Sequence, residues 1–101
     1  MDAEIIREGV VARLILVGNL DYSNCGQFRG RAMTAMLEQG VQTLVIDFAR
    51  VAFVDSLSLG TLLVLREYAI KSGQSIELVR CSSALVSALK LANFHKLFTI
   101  R

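Results

Sequence analysis

Residues 43–60 read Thr43-Leu44-Val45-Ile46-Asp47-Phe48-Ala49-Arg50-Val51-Ala52-Phe53-Val54-Asp55-Ser56-Leu57-Ser58-Leu59-Gly60. Thr43–Phe48 is β-branched or apolar on both faces, the pattern of a strand covered on each side, so it is expected at the centre of a sheet. A short extended continuation over Val51–Val54 follows, and it ends in an acidic residue and a serine. From Ser56 to Lys71, Leu59, Leu62, Leu63, Leu65, Ala69 and Ile70 give a helical apolar pattern, and Gly73 supplies the stop. The first ten residues of this helix, Ser56–Leu65, carry no charge, so that end is expected to be largely covered. A buried strand feeding directly into a helix argues for an α/β fold.

The flanking segments extend that alternation. Glu4–Arg7 and Val10–Val17 read as two strands joined by a turn at Glu8-Gly9, with Arg13 on the alternate face from Leu14 and Leu16. Asn24–Gln39 reads as a helix whose stripe is Phe28, Ala32, Ala35, Met36 and Gln39; Arg29, Arg31 and Glu38 lie off it. Ser23 or Asn24 suits its start and Gly40 its end. Ser75–Val79 is a further strand, and Ser82 or Ser83 caps a third helix carrying Leu85, Val86, Leu89 and Ala92. Phe94–Ile100 closes as a turn and a short edge strand. The expected order is ββαβαβα(β), a small mixed sheet with about three to four helices packed on it. Residues 1–101 are expected to form one domain.

Composition narrows the function classes. With 53% hydrophobic and 20% charged residues, the chain has ample apolar surface to offset ordering entropy and is not disordered. The charge-free stretch Ser56–Leu65 is half of the roughly 20 residues a membrane span needs. Asp2, Glu4, Arg7 and Glu8 interrupt any apolar start, so no secretory signal is expected. The 11 Lys+Arg and 9 Asp+Glu are scattered and aromatics make up 7%, which argues against a nucleic-acid binder. Cys25 and Cys81 lack C-x-x-C spacing and read as reduced, buried fillers of a cytoplasmic protein. One His and two distant Cys do not furnish a zinc site, and no phosphate-loop motif occurs. Neither metal nor cofactor is expected.

Chemistry concentrates at Asp55-Ser56. As structure alone, Ser56 is a favoured N-cap, contributing about 1 kcal/mol over Ala, and Asp55 complements the helix dipole. The same geometry suits a switch. A hydroxyl at a helix start is reachable, and a phosphate there meets oriented N–H groups. Phosphorylation adds about −1.5 to −2 charge beside Asp55. The two readings are compatible. A catalytic triad of Ser56, Asp55 and His95 has no G-x-S-x-G elbow behind it and needs His95 to return from far along the chain; catalysis is not expected. Arg29 and Arg31 read as a solvated helix face, with a partner surface as the alternative.

The segment Leu44-Val45-Ile46-Asp47-Phe48 … Val54-Asp55-Ser56-Leu57-Ser58-Leu59-Gly60 resembles the signature of STAS domains, and more narrowly of bacterial anti-sigma factor antagonists. Their pattern is an apolar strand, a short apolar turn and Asp-Ser-[Ser/Thr]-Gly-Leu-Gly opening a helix. Gly18-Asn19-Leu20-Asp21 is similar to the family's Gly-Glu-Leu-Asp, and Ser82–Phe98 to its last helix and tail. The resemblance implies a cytoplasmic partner switch without catalytic activity. An ATPase-type anti-sigma serine kinase phosphorylates the serine after the Asp, here Ser56, and a metal-dependent phosphatase reverses it. Only the unphosphorylated form binds and sequesters the partner, through a surface mapping to Asp21, Asp55, Ser56, Leu57 and Ser58. Two positions depart from the pattern: Leu57 replaces Ser or Thr, and Ser58 replaces Gly, which leaves Ser58 as an alternative acceptor. STAS domains also serve as cytoplasmic docking subunits of lipid or anion transport systems, the alternative function.

Overall fold

The hydrophobic segment at Thr43 runs to Arg50 and takes the middle place in a five-stranded sheet, in a computed structural model that describes residues 2–101. The strands are β1 (Asp2–Glu8), β2 (Val11–Val17), β3 (Thr43–Arg50), β4 (Ser75–Val79) and β5 (Thr99–Ile100), in the order β1-β2-β3-β4-β5. β1 and β2 pair antiparallel through a tight turn in which Gly9 has φ +61, a conformation that glycine adopts without Cβ strain. All other neighbours are parallel, so each return needs a crossover. These are α1 (Cys25–Leu37), α2 (Ser56–Ser72), and α3 (Ser83–Leu91) with a 3-10 turn at Phe94–Lys96.

The core lies where α1 and α2 meet the sheet. Leu14, Leu16, Leu44, Ile46, Phe48 and Leu78 are buried with Phe28, Ala32, Ala35 and Met36 of α1. From α2 come Leu62, Leu65 and Ala69. Leu89 of α3, Phe94 and Phe98 close the end, the two rings stacked with centroids 5.6 Å apart.

The second face of β3 is covered by charge. Asp47 is fully buried, and Arg80, just past β4, forks onto it with Nε and Nη2 donating to Oδ2 at 2.9 and 2.7 Å. The Ala49 amide donates to Oδ1 at 3.0 Å and Arg13 stands 3.7 Å away. Burial alone pushes this carboxyl up; the Arg80 fork, the Ala49 amide and the fields of both guanidiniums outweigh it and hold the group below its ordinary value. Arg80 reaches this position with φ +54, a left-handed backbone costly for a residue with a Cβ.

Several expectations are corrected. Val51–Val54 is no strand: β3 ends at Arg50, the Val51 amide turns back to Phe48 O at 3.1 Å, and only Val54 forms an isolated parallel bridge, to Leu20. The apolar start of α2 is covered on one face only. A helix lying on a sheet buries one face, and α2 buries Ser58, Leu62, Leu65 and Ala69 while Leu57, Leu63, Val64 and Ile70 face outward. α1 stops at Leu37, leaving Gln39 outside the core; Ala92 likewise falls past the end of α3. The two cysteines are half-buried free thiols; Cys81 packs against the core as expected, while Cys25 lies outside it. Burial, and then the negative field of Asp47, pushes the Cys81 thiol up to about 11. Arg29 is exposed, but Arg31 reaches across to donate to Ala3 O on β1. Arg7 similarly ties the hairpin to the α1–β3 loop through Gln39 O at 2.9 Å and Glu38 at 3.4 Å.

Candidate functional site: the start of α2

Two loops are stitched together where β2 and β3 end. The buried Leu20 donates its amide to Phe53 O at 2.8 Å and accepts the Asp55 amide at 3.1 Å. The Tyr22 amide then donates to Asp55 Oδ2 at 2.8 Å. The other Asp55 oxygen, Oδ1, accepts the Ser58 amide at 2.8 Å. Asp55, with extended φ −85 and ψ 171, is therefore the N-cap of α2. This corrects the expectation for Ser56, which is the first helical residue and is exposed. The chemical reason is reach: a carboxylate one residue earlier serves a helix amide and the neighbouring loop at once.

The Ser58 amide above all, then the nearby Ser58 hydroxyl, hold the Asp55 carboxyl below its ordinary value; slight burial opposes this and the Tyr22 amide adds to it. The Ser58 Oγ is itself buried with no partner in hydrogen-bond geometry among the described residues. It acts on Asp55 as a nearby dipole. The Ser58 side chain is fully buried.

Asp21 stands across the same junction but is engaged within its own loop. Its Oδ1 accepts the Ser23 amide at 3.0 Å and the Ser23 hydroxyl at 2.5 Å. Asn24 does not cap α1 with its side chain. It accepts the Asp21 amide at 2.9 Å and donates to Asn19 O at 2.7 Å, bracing the loop. The structure thus brings Asp21, Asp55, Ser56 and Leu57 to one surface and withdraws Ser58 from it. Tyr22, 77% exposed, and Phe53, 55% exposed, join this surface; the sequence reading missed both. Their signal was an aromatic in a polar loop and another in the apolar turn before Asp55. Beside them lies an apolar groove of about 210 Å³, between residues 51–54 and Ala84, Leu85 and Ala88 of α3.

His95 sits exposed in the 3-10 turn after α3, and both Asp55 oxygens are occupied by backbone amides instead of an imidazole. The imagined triad is not assembled. The surface carries the exposed Ser56 at a positive helix end, two carboxylates and an apolar rim of Tyr22, Phe53 and Leu57.

Comparison with known proteins agrees with the fold. A family model described as Mlab, STAS domain, matches residues 5–99. A STAS-domain-containing protein of Pseudomonas aeruginosa (strain UCBPP-PA14) is 38% identical over 56 residues, a match that spans 55% of this chain and 55% of that protein. The chain thus covers about half the length of this curated relative. Among solved structures, the anti-sigma factor antagonist SpoIIAA in its unphosphorylated form superposes with a TM-score of 0.75 at 20% identity, covering 99% of this chain and 87% of that one. The same Bacillus protein in phosphorylated form gives 0.74 at 19%, covering 99% and 91%. A sulfate transporter family protein from Wolinella succinogenes gives 0.77 at 19%, covering 90% of this chain and 73% of that one. At such identities these structures establish the shared fold. The family model spanning nearly the whole chain establishes more: this is a member of the STAS-domain family.

Proposed function

We propose that the chain is a non-catalytic partner-switching protein of the anti-sigma factor antagonist type, controlled by phosphorylation at Ser56. The observation that carries this reading is the contrast between two serines two positions apart. Ser56 is the exposed first residue of α2, held in place by a capping Asp55 that also anchors the Tyr22 loop, whereas Ser58 is buried. Similarity to a protein solved in both unphosphorylated and phosphorylated forms supports it. In this reading the unphosphorylated surface of Asp21, Tyr22, Phe53, Asp55, Ser56 and Leu57 binds and sequesters an ATPase-type anti-sigma serine kinase in the cytoplasm. A metal-dependent phosphatase restores it after modification.

The switch is electrostatic. A phosphate on Ser56 places about −1.5 to −2 charge beside Asp55 and Asp21 and among three exposed apolar side chains. Burying that charge under a partner costs on the order of several kcal/mol unless the partner neutralises it. The test is incubation with the cognate kinase and ATP, followed by fragment mass spectrometry and titration of the partner against Ser56→Ala and Ser56→Asp. Phosphate on Ser56, with binding kept by the Ala variant and lost by the Asp variant, is expected. Phosphate on Ser58 alone, or a folded Ser56→Asp that binds as wild type, sinks the reading.

A docking role within a transport system is the second reading, favoured by the likeness to a sulfate transporter family protein. Affinity capture with the unmodified chain separates the two. A transporter subunit without any kinase-like ATPase is the outcome for docking.

A further inference from the structure

The outward face of α2 is apolar and exposed, with no partner covering it among the described residues. Leu57 is 58% exposed, Leu63 38%, Val64 54% and Ile70 56%. They fall on two seven-residue rows, Ser56–Leu63–Ile70 and Leu57–Val64–Lys71, with Gly60 and Glu67 between them. Seven residues are close to two helical turns, so these rows run nearly along the axis. A Cβ built on Gly60 would meet nothing within 4 Å, so the middle of the face is open to close approach by another backbone. Neither Glu67 nor Lys71 makes an ion pair among the described residues.

The pattern is its own complement under a half-turn about a point between Leu63 and Val64. Leu63 then faces Leu63, Val64 faces Val64, Glu67 crosses Gly60, and Ser56 and Leu57 lie against Ile70 and Lys71. The charges complement as well. Lys71 in the last turn of one helix approaches the end where Asp55 caps the other, and the helix dipoles run opposed. Isologous contacts of this kind close as two-fold dimers. The exposed β1 edge offers no such match: antiparallel self-pairing would set the acidic Asp2, Glu4 and Glu8 against one another, and Arg31 already occupies Ala3 O.

We propose that two copies of this chain associate through antiparallel packing of their α2 helices, centred between Leu63 and Val64, with Lys71 of each copy against Asp55 of the other. Ser56 then lies in the seam. Self-association and engagement of Ser56 by any other protein are mutually exclusive, so the dimer is a storage form of the chain. The packing stands independently of the phosphorylation reading; only its consequence for Ser56 modification rests on that reading.

Sedimentation of the full chain from about 10 μM to 1 mM, the range of weak association, is expected to show 11.1 kDa monomer passing to dimer. Val64→Asp, on an exposed site, is expected to stay monomeric throughout with an unchanged circular dichroism spectrum. Cysteine cross-linking in a Cys25→Ser, Cys81→Ala background fixes the direction. Val64→Cys should cross-link to itself, and a mixture of Leu57→Cys with Lys71→Cys should cross-link to each other. Leu57→Cys should not self-link, because its two copies lie about 20 Å apart along antiparallel helices. A monomer at every concentration overturns the proposal and leaves this face to a different protein. Dimerisation unaffected by Val64→Asp, or self-linking of Leu57→Cys as ready as that of Val64→Cys, overturns it equally. None of these outcomes reads phosphorylation, so failure here is distinguishable from failure of the switch.

Discussion

Ser58 carries a hydroxyl that has left water without gaining a hydrogen-bond partner, at a position where its amide already serves Asp55. A buried donor left unmade costs about 1–3 kcal/mol. Ser58→Ala removes that cost together with the dipole that helps hold Asp55 down, so urea unfolding is expected to shift by no more than about 1 kcal/mol, with the Asp55 carboxyl moved upward. Asp55 is the opposite case, with every part of its carboxylate engaged. Asp55→Ala removes the helix cap and the anchor of the Tyr22 loop together. Faster hydrogen exchange at the Tyr22 and Ser58 amides and a lower Tm are the expected readings; unchanged exchange at Tyr22 would show the strap to be idle. The Asp55-Ser56 pair itself was legible in sequence as acid, hydroxyl and helix start. Which of the two caps the helix was not, because that depends on where the Leu20–Tyr22 loop comes to rest.

α2 reads differently on its two sides. Leu65 is sealed in the core and Val64 beside it is more than half exposed. Leu65→Ala is therefore expected to cost about 2–5 kcal/mol and Val64→Ala only about 0.5 kcal/mol or less in the monomer, compared by denaturant midpoints at low protein concentration. β3 carries the corresponding electrostatic test. Asp47 has a folded-state value below its unfolded 3.8, so its contribution to stability is complete above the unfolded value and is lost as pH falls through the folded one. Stability is expected to drop on acidification below about pH 4. Replacing Arg80 with Met should flatten that drop and move the Asp47 carboxyl upward in a carbon-detected titration. The strand was legible from its apolar run. Its buried charge was not, since Asp47 and Arg80 are separated by 33 positions and meet only through β3–β4 pairing. The apolar opening of α2 misled for a related reason: hydrophobicity signals that a face wants cover but does not say which molecule covers it.

Across the whole molecule, stability is graded from the middle strand outward. β3 is paired on both sides over most of its length, while β1 has one neighbour and β5 joins β4 through two residues. Amide exchange is expected to be slowest in β3 and fastest in β5 and in the first residues of β1. Uniform protection through the sheet would contradict that gradient. The surface that distinguishes this molecule is similarly a product of assembly: the loop after β2, the turn after β3 and the first residues of α1 and α3 all lie near the start of α2.

Local pattern and chain order alone determined the alternation of strands and helices, the central place of Thr43–Phe48, the helix stop at Gly73 and the identity of the Asp-Ser pair. These depend on periodicity, glycine backbone freedom and short-range hydrogen bonding, all of which are written in neighbouring residues. Only the tertiary structure decided that Asp55 caps α2, that Tyr22 and Phe53 rim the site, that Ser58 is sealed away and that Arg80 neutralises Asp47. Each of those depends on groups far apart in sequence brought within a few ångströms by strand pairing, a distance no local pattern encodes.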